Sequence, residues 1–437
     1  MARLLLLSLF IPWLLQPAWA VVWQHDPGLS WNSEWQKKYS AWVQHEVGGD
    51  FFQKLGGMYK EVPLDCADAA YALHIYFSYK HRLPWRSRAG PQKDLTEPLD
   101  NTMKVFDHIA DEHERVAHLI DYTRKRVYTR TLAYLDTYPV AIQDISPGDI
   151  FMFRYGRAKN AAKHVYIVKQ VNIDGTLDVL YSTQNRARKL KPLVRIPSKM
   201  FQHKPRRPWG FKRFKPYQQI KISQSKIPGA SLGQYYLASI YNERQFFNTI
   251  EEALRLQPLK PQKQLERLYK GLCTELLSRH VVVQDAIKVV KAKPAGEKCL
   301  NYREFDALST PSRDRGIRKQ FTFLFEEMLR YQKQWRQQTA NRGPGQYTAD
   351  EKALKKKLDF IESIFLHSRS WAQSDYLSRR CAINFRDDFK KRYHVHVGHF
   401  YDHLFLGKVS WHPNDNIARR WGFRRGLKTT CPAFYGN

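Results

Sequence analysis

Asp65-Cys66-Ala67-Asp68-Ala69-Ala70-Tyr71-Ala72-Leu73 reads as the opening turns of a helix with a cysteine at its first position. Asp65 is a residue type that caps helix starts, and Asp68 stands three positions on, where a second side chain can complete the cap. Ala69, Leu73 and Phe77, with Ala70 and Tyr76, give this helix an apolar face, and Pro84 ends the pattern. Far along the chain, Lys163-His164-Val165-Tyr166-Ile167-Val168 reads as a strand that opens with a histidine. It follows the turn sequence Ser146-Pro147-Gly148-Asp149-Ile150-Phe151. Together these stretches predict a helix packed on an antiparallel sheet, with a thiol and an imidazole brought face to face. The fold class is α+β.

Around them, residues 150–154, 164–171 and 176–183 read as antiparallel strands, the last two joined by Asn172-Ile173-Asp174-Gly175, whose Asp-Gly pair signals a hairpin. A helical insert occupies residues 102–135. Beyond Pro228-Gly229 the chain turns helical: Leu265, Leu268, Leu272 and Leu276 share one stripe, Ile317, Phe321, Leu324, Met328 and Trp335 a second, and Leu354, Leu358, Ile361 and Phe365 a third. Thr348 and Glu351 form a capping box before the third. The expected divisions are 1–20, an export signal; 21–215, a catalytic domain ending in a basic strip; and 216–437, a basic helical domain.

The first twenty residues carry Arg3, an apolar run from Leu4 to Leu15, and Ala18-Trp19-Ala20 at the end. That is the pattern of a secretory signal peptide, and the run is shorter than the about 20 apolar residues a bilayer span needs. Later segments offer no span either. The expectation is an exported protein, periplasmic or secreted. The formal net charge of +31 suits a polyanionic partner. For an exported chain, an anionic envelope polymer fits better than nucleic acid. Residues 185–215 concentrate this charge: twelve Lys and Arg with no Asp or Glu, interleaved with Phe201, Trp209, Phe211 and Phe214. Arg206, Arg207 and Trp209 are the candidates there for substrate contact; the other reading is a solvated linker.

Cys66 stands apart from Cys273, Cys299, Cys381 and Cys431, which lie in the C-terminal half and suffice for two bridges. Proximity in sequence suggests Cys273–Cys299 and Cys381–Cys431. An unpaired thiol in an exported chain is a candidate nucleophile. A helix N-terminus lowers a thiol pKa, and a histidine in reach takes its proton and later protonates the leaving amine. The third group, which would orient the imidazole, is Asp178 or Ser182, both on one face of the following strand. The oxyanion would be held by the Cys66 N–H and a second donor, with Tyr59 the candidate. This chemistry requires no cofactor.

The Asp65-Cys66 helix start, the Pro147-Gly148-Asp149 turn and His164-Val165-Tyr166-Ile167 resemble the NlpC/P60 superfamily of papain-like cysteine peptidases and amidases. The resemblance covers residues 62–183. It implies a papain-like catalytic domain and cleavage of amide bonds in peptidoglycan stem peptides. Ala67-Asp68 stands where the family has Ser-Gly, Lys163 replaces its glycine, and Ser182 lies near the position of its third residue. A decayed hydrolase fold that only binds the wall is the alternative. A second constellation, His394, His396, His399 and His403, has side-chain types that hold transition metals, but no glutamate separates the last two as a zinc-peptidase helix requires. A metal-dependent hydrolase built there is the other alternative.

Overall fold

The computed structural model describes residues 21–88, 99–155, 162–182, 190–196, 203–257, 259–366, 381–423 and 428–434. Residues 1–20, read as the export signal, lie outside these, as do 185–189 and 197–202 of the basic strip. The chain enters through α1 (Ser33–His45), where the Asn32 side chain accepts from the Trp35 N–H, and a short α2 (Phe51–Leu55). Next comes α3 (Cys66–Lys80), capped as its sequence predicts. Asp65 Oδ1 accepts from the N–H groups of Ala67 at 2.8 Å and Asp68 at 2.9 Å, while Asp68 Oδ2 accepts from the Asp65 N–H at 3.0 Å.

The expected single apolar face of α3 is too narrow a description. Its residues are buried nearly all round, Asp68 and His74 included. A helix buried this way sits inside a domain rather than on it. One side packs against α4 (Glu112–Arg124), the other against the sheet. Between them lie the two-residue strands β1 (Arg86–Ser87) and β2 (Leu99–Asp100) and, after α4, the single turn α5 (Thr129–Thr131).

The sheet comprises β3 (Thr137–Pro139), β4 (Ile150–Tyr155), β5 (Ala162–Val171), β6 (Leu177–Tyr181), β7 (Lys191–Ile196) and β8 (Gly210–Phe214). Its order is β3-β8-β4-β5-β6-β7, antiparallel throughout. The three strands expected from sequence are its centre; β3, β7 and β8 extend it. The Asp174-Gly175 hairpin forms, with Gly175 at φ +84°, and a Cβ there would overlap the Glu251 carbonyl. Period-two alternation divides the sheet's side chains. Ile150, Met152, Val165, Ile167 and Leu180 join α3 in one core. Phe151, Phe153, Val168, Val179, Tyr181 and Phe211 join a second core with Phe246, Phe247 and Ile250. These last three lie on α7 (Glu243–Leu254), which follows α6 (Gly233–Ile240). Packing on the sheet thus runs beyond residue 215 as far as Leu254.

The third core lies in the C-terminal half. Its long members are α8 (Pro261–Ala292), α10 (Pro311–Thr339) and α11 (Ala349–Phe365), with α9 (Tyr302–Leu308) between the first two. The three stripes read from sequence meet there, and Thr348 and Glu351 exchange the expected capping bonds. The hairpin β9 (Ile383–Arg386)–β10 (Arg392–Val395), then α12 (Val397–Phe405) and α13 (Ile417–Arg420), close it. The disulfides are Cys273–Cys381 and Cys299–Cys431, not the sequence-adjacent pairs. Adjacency fails because Cys273 faces into the helical core where the chain returns at Cys381. Closing separations of 108 and 132 residues, each bridge contributes about 4–5 kcal/mol on the chain-entropy account. Among the described residues no helix is long and apolar enough to cross a membrane.

Asp149, from the Pro147-Gly148-Asp149 turn, is fully buried and receives Arg213 of β8 on both oxygens, at 2.7 and 2.8 Å. The Ser146 N–H donates to the same carboxylate at 2.8 Å. Removing one partner of a buried pair leaves an uncompensated charge. Arg213→Ala should therefore lower unfolding free energy by roughly 3–5 kcal/mol in a denaturant titration. Arg206→Ala, which removes an exposed cation, should stay within about 0.5 kcal/mol of the parent chain.

Candidate functional site

Cys66 is the free cysteine, as the sequence reading expects, and it is buried at the N-terminus of α3. Its thiol lies against the backbone N–H groups of Val165 on β5 and of Ala67. These two contacts favour the thiolate, but they are outweighed: burial above all, then the Asp65 carboxylate, pushes the thiol well above its ordinary value. Asp68 is pushed up to about 8, first by burial and then by Asp65. The helix start that the sequence offers as an activator of Cys66 is thus spent on the Asp65 and Asp68 cap, and the Asp65 carboxylate opposes a second anion.

His164 stands one residue before Val165, yet the structure does not pair its ring with Cys66. Its cross-strand partner is Phe153, and its ring packs edge-on to Phe153, Tyr166 and Tyr181 at centroid distances of 5.7, 5.1 and 5.5 Å. Phe153 and Tyr181 belong to the core on the sheet face away from α3. Val165, with the opposite parity, takes the α3 side. Burial, then Arg313 of α10, lowers the His164 pKa to about 4, so the imidazole is neutral near pH 7.

The third-residue candidates do share a strand face, as expected, but it is the face that His164 leaves. Asp178 accepts from Asn172 Nδ2 at 2.9 Å, next to the hairpin. Ser182 is buried and donates to the Leu64 carbonyl at 2.7 Å, beside the chain that leads into α3. Neither orients the imidazole. Tyr59 donates its hydroxyl to the His113 carbonyl at 2.9 Å and packs on Tyr76 and His113, so that donor is committed elsewhere.

The basic strip separates into two kinds of cation. Lys212 and Lys215 are buried, contrary to the picture of a solvated stretch. Lys212 Nζ donates to the Ala133 carbonyl at 2.6 Å and Gln224 Oε1 at 2.9 Å, and Lys215 Nζ to the Ile222 carbonyl at 2.6 Å. Arg213 is held by Asp149. Trp209 is buried edge-on to Tyr134 and offers no open ring for stacking. Arg206 and Arg207 remain exposed. The sequence carried no sign of this division, because the Arg213 partner lies 64 residues away.

The histidine window is also occupied. His403 Nδ1 bonds the Trp421 carbonyl at 2.7 Å, and His394 Nδ1 meets Asn384 Oδ1. The His394 and His396 rings are 4.0 Å apart and those of His396 and His399 5.7 Å. Among the described residues no three His, Cys, Asp or Glu side chains are grouped to hold a metal ion.

No family model, curated protein or solved structure matches this chain.

Asp68 yields a pH test. Its folded pKa of about 8 lies above the unfolded value near 4, so the native state keeps a proton that the unfolded state releases. Its contribution is favourable below about pH 4 and is lost as pH rises toward 8. The stability of the parent chain relative to Asp68→Asn should fall across that window by at most about 1.4 kcal/mol per pH unit. A flat difference in denaturant titrations from pH 4 to 8 would mean that Asp68 ionises freely.

Proposed function

We propose that this chain is an exported cysteine hydrolase that cleaves amide bonds, in peptidoglycan stem peptides, on a papain-like scaffold of the NlpC/P60 type. The observation that carries the reading is the contact of the Cys66 thiol with the Val165 N–H. That nitrogen is bonded to the His164 carbonyl carbon, so the His164 backbone is beside the sulfur although its ring is turned away. Rotation about χ1 leaves a strand side chain on its own sheet face, so a local turn of the β5 backbone at His164 would be needed to carry the neutral imidazole to the thiol. It could then take the thiol proton as sulfur attacks the scissile carbonyl, and return it to the departing amine. Water would resolve the thioester and regenerate the thiol. The arrangement described here corresponds to a resting state, with the thiol covered and the imidazole held among aromatic rings.

The test is incubation with purified peptidoglycan and identification of released fragments by mass spectrometry. Wild type should release stem-peptide fragments with new amine and carboxyl ends. Cys66→Ala and His164→Ala should each lower the rate by about a thousandfold or more, as expected when members of a catalytic unit are removed. Release by Cys66→Ala at the wild-type rate would overturn the assignment.

A second reading is a wall-binding protein on a decayed hydrolase fold. It is favoured by the outward turn of the His164 ring and the raised thiol pKa. Under it, wild type and Cys66→Ala both bind walls, and neither releases fragments.

A further inference from the structure

Between the chain entering β8 and helix α6 lies a cleft of about 340 Å³ lined by Lys204, Pro205, Arg206, Arg207, Tyr235, Ala238 and Ser239. Among the described residues, no carboxylate neutralises its three cations. Arg206 and Arg207 form no ion pair with a carboxylate among the described residues, and Lys204 Nζ reaches only the Tyr241 carbonyl. The frame around them is fixed. Tyr235 donates its hydroxyl to the Pro208 carbonyl at 3.3 Å, and Gln234 of α6 accepts from the Phe211 N–H at 2.8 Å and donates to its carbonyl at 2.9 Å. Pro205 and Trp209, on either side of the arginines, are buried. The arginines therefore extend from an anchored segment, unlike cations on a loose tail.

We infer that this cleft is a binding site for a phosphate group, held by Arg206 and Arg207 with Lys204 beside them. A guanidinium presents paired N–H donors that match phosphate oxygens, and such charged, forked bonds are the strong ones. Two forks and an ammonium complement the multiple oxygens and charge of phosphate better than a single carboxylate. The positive field is also felt inside the protein: burial first, then Lys215 and Arg207, drive the neighbouring Lys212 pKa far down. A bound anion would relieve that repulsion. The site involves none of the Cys66 chemistry. The phosphate could belong to a polymer chain or to a small soluble molecule, and both sources present the same group.

The test measures binding by isothermal titration calorimetry on the purified full chain, with inorganic phosphate and with poly(glycerol phosphate) as separate probes. The Arg206→Ala/Arg207→Ala double variant should bind the better probe at least about tenfold more weakly, the loss expected for one charged hydrogen bond or more. The control Lys221→Ala/Lys226→Ala removes two exposed cations elsewhere and should change affinity less than threefold. Unchanged circular dichroism and melting temperature would show that the double variant is folded. Preference for the polymer assigns the source to a polymer-borne phosphodiester, and equal binding per site assigns it to a small phosphate compound. An equal loss in both double variants would reduce the effect to general charge and overturn the inference. So would a loss below threefold in the arginine variant, or equally tight arginine-dependent binding of poly-glutamate. Because the readout is binding and involves no amide cleavage, either result leaves the hydrolase assignment to its own test.

Discussion

A helix start buried in a protein must satisfy its free N–H groups, and the design of the N-terminal half follows from how α3 does so. Asp65 takes the Ala67 and Asp68 N–H groups and Asp68 returns a bond to Asp65. Unsatisfied buried donors cost about 1–3 kcal/mol each, so this reciprocal cap is what allows α3 to run inside the domain. Once buried, the helix needs a cover on each side, which α4 and the α3-facing side of the sheet supply. The same cap fixes the electrostatics at Cys66. Burial first, and then the Asp65 carboxylate, raise the thiol pKa and keep it protonated.

The sheet then separates two environments that a linear reading treats as one. Cys66, Val165 and Ser182 lie toward α3, while His164 and Tyr181 lie toward α7, α8 and α10. Neighbouring residues on a strand face opposite ways, so one peptide unit decides whether a histidine meets a cysteine or an aromatic cluster. In the proposed catalytic cycle the step to be made is therefore a local turn of the β5 backbone at His164, which brings its side chain to the α3 face.

Much of the fold was legible in residues whose effects are local. The Asp65 cap, the Asp174-Gly175 hairpin, the Thr348–Glu351 box and the leucine stripes of α8 and α11 all act within a few positions, and each is found where its sequence places it. What escaped depends on contacts distant in sequence. The strands β3 and β8 carry no clear alternation and owe their place to pairing with each other and with β4. The disulfides join Cys273 to Cys381 across the helical core, a contact that adjacency cannot reveal. In the basic strip, identical residue types serve opposite ends: Arg213 neutralises a buried carboxylate, while Arg206 and Arg207 line a cleft and meet no carboxylate among the described residues. The candidate site was legible as a set of residue types, not as a geometry, since the sheet face that His164 takes is set by the pairing of β5 with β4 and β6.

The most direct measurement is covalent trapping with a chloromethyl ketone built on a stem peptide, followed by mass spectrometry of the intact chain and its peptides. Binding of such a probe selects the conformation in which thiol and imidazole act together. The account predicts one adduct, on Cys66, forming at least about a hundredfold faster in wild type than in His164→Ala, in line with the typical contribution of a positioned acid–base group. No adduct on Cys66, or one that forms equally fast without His164, would contradict it.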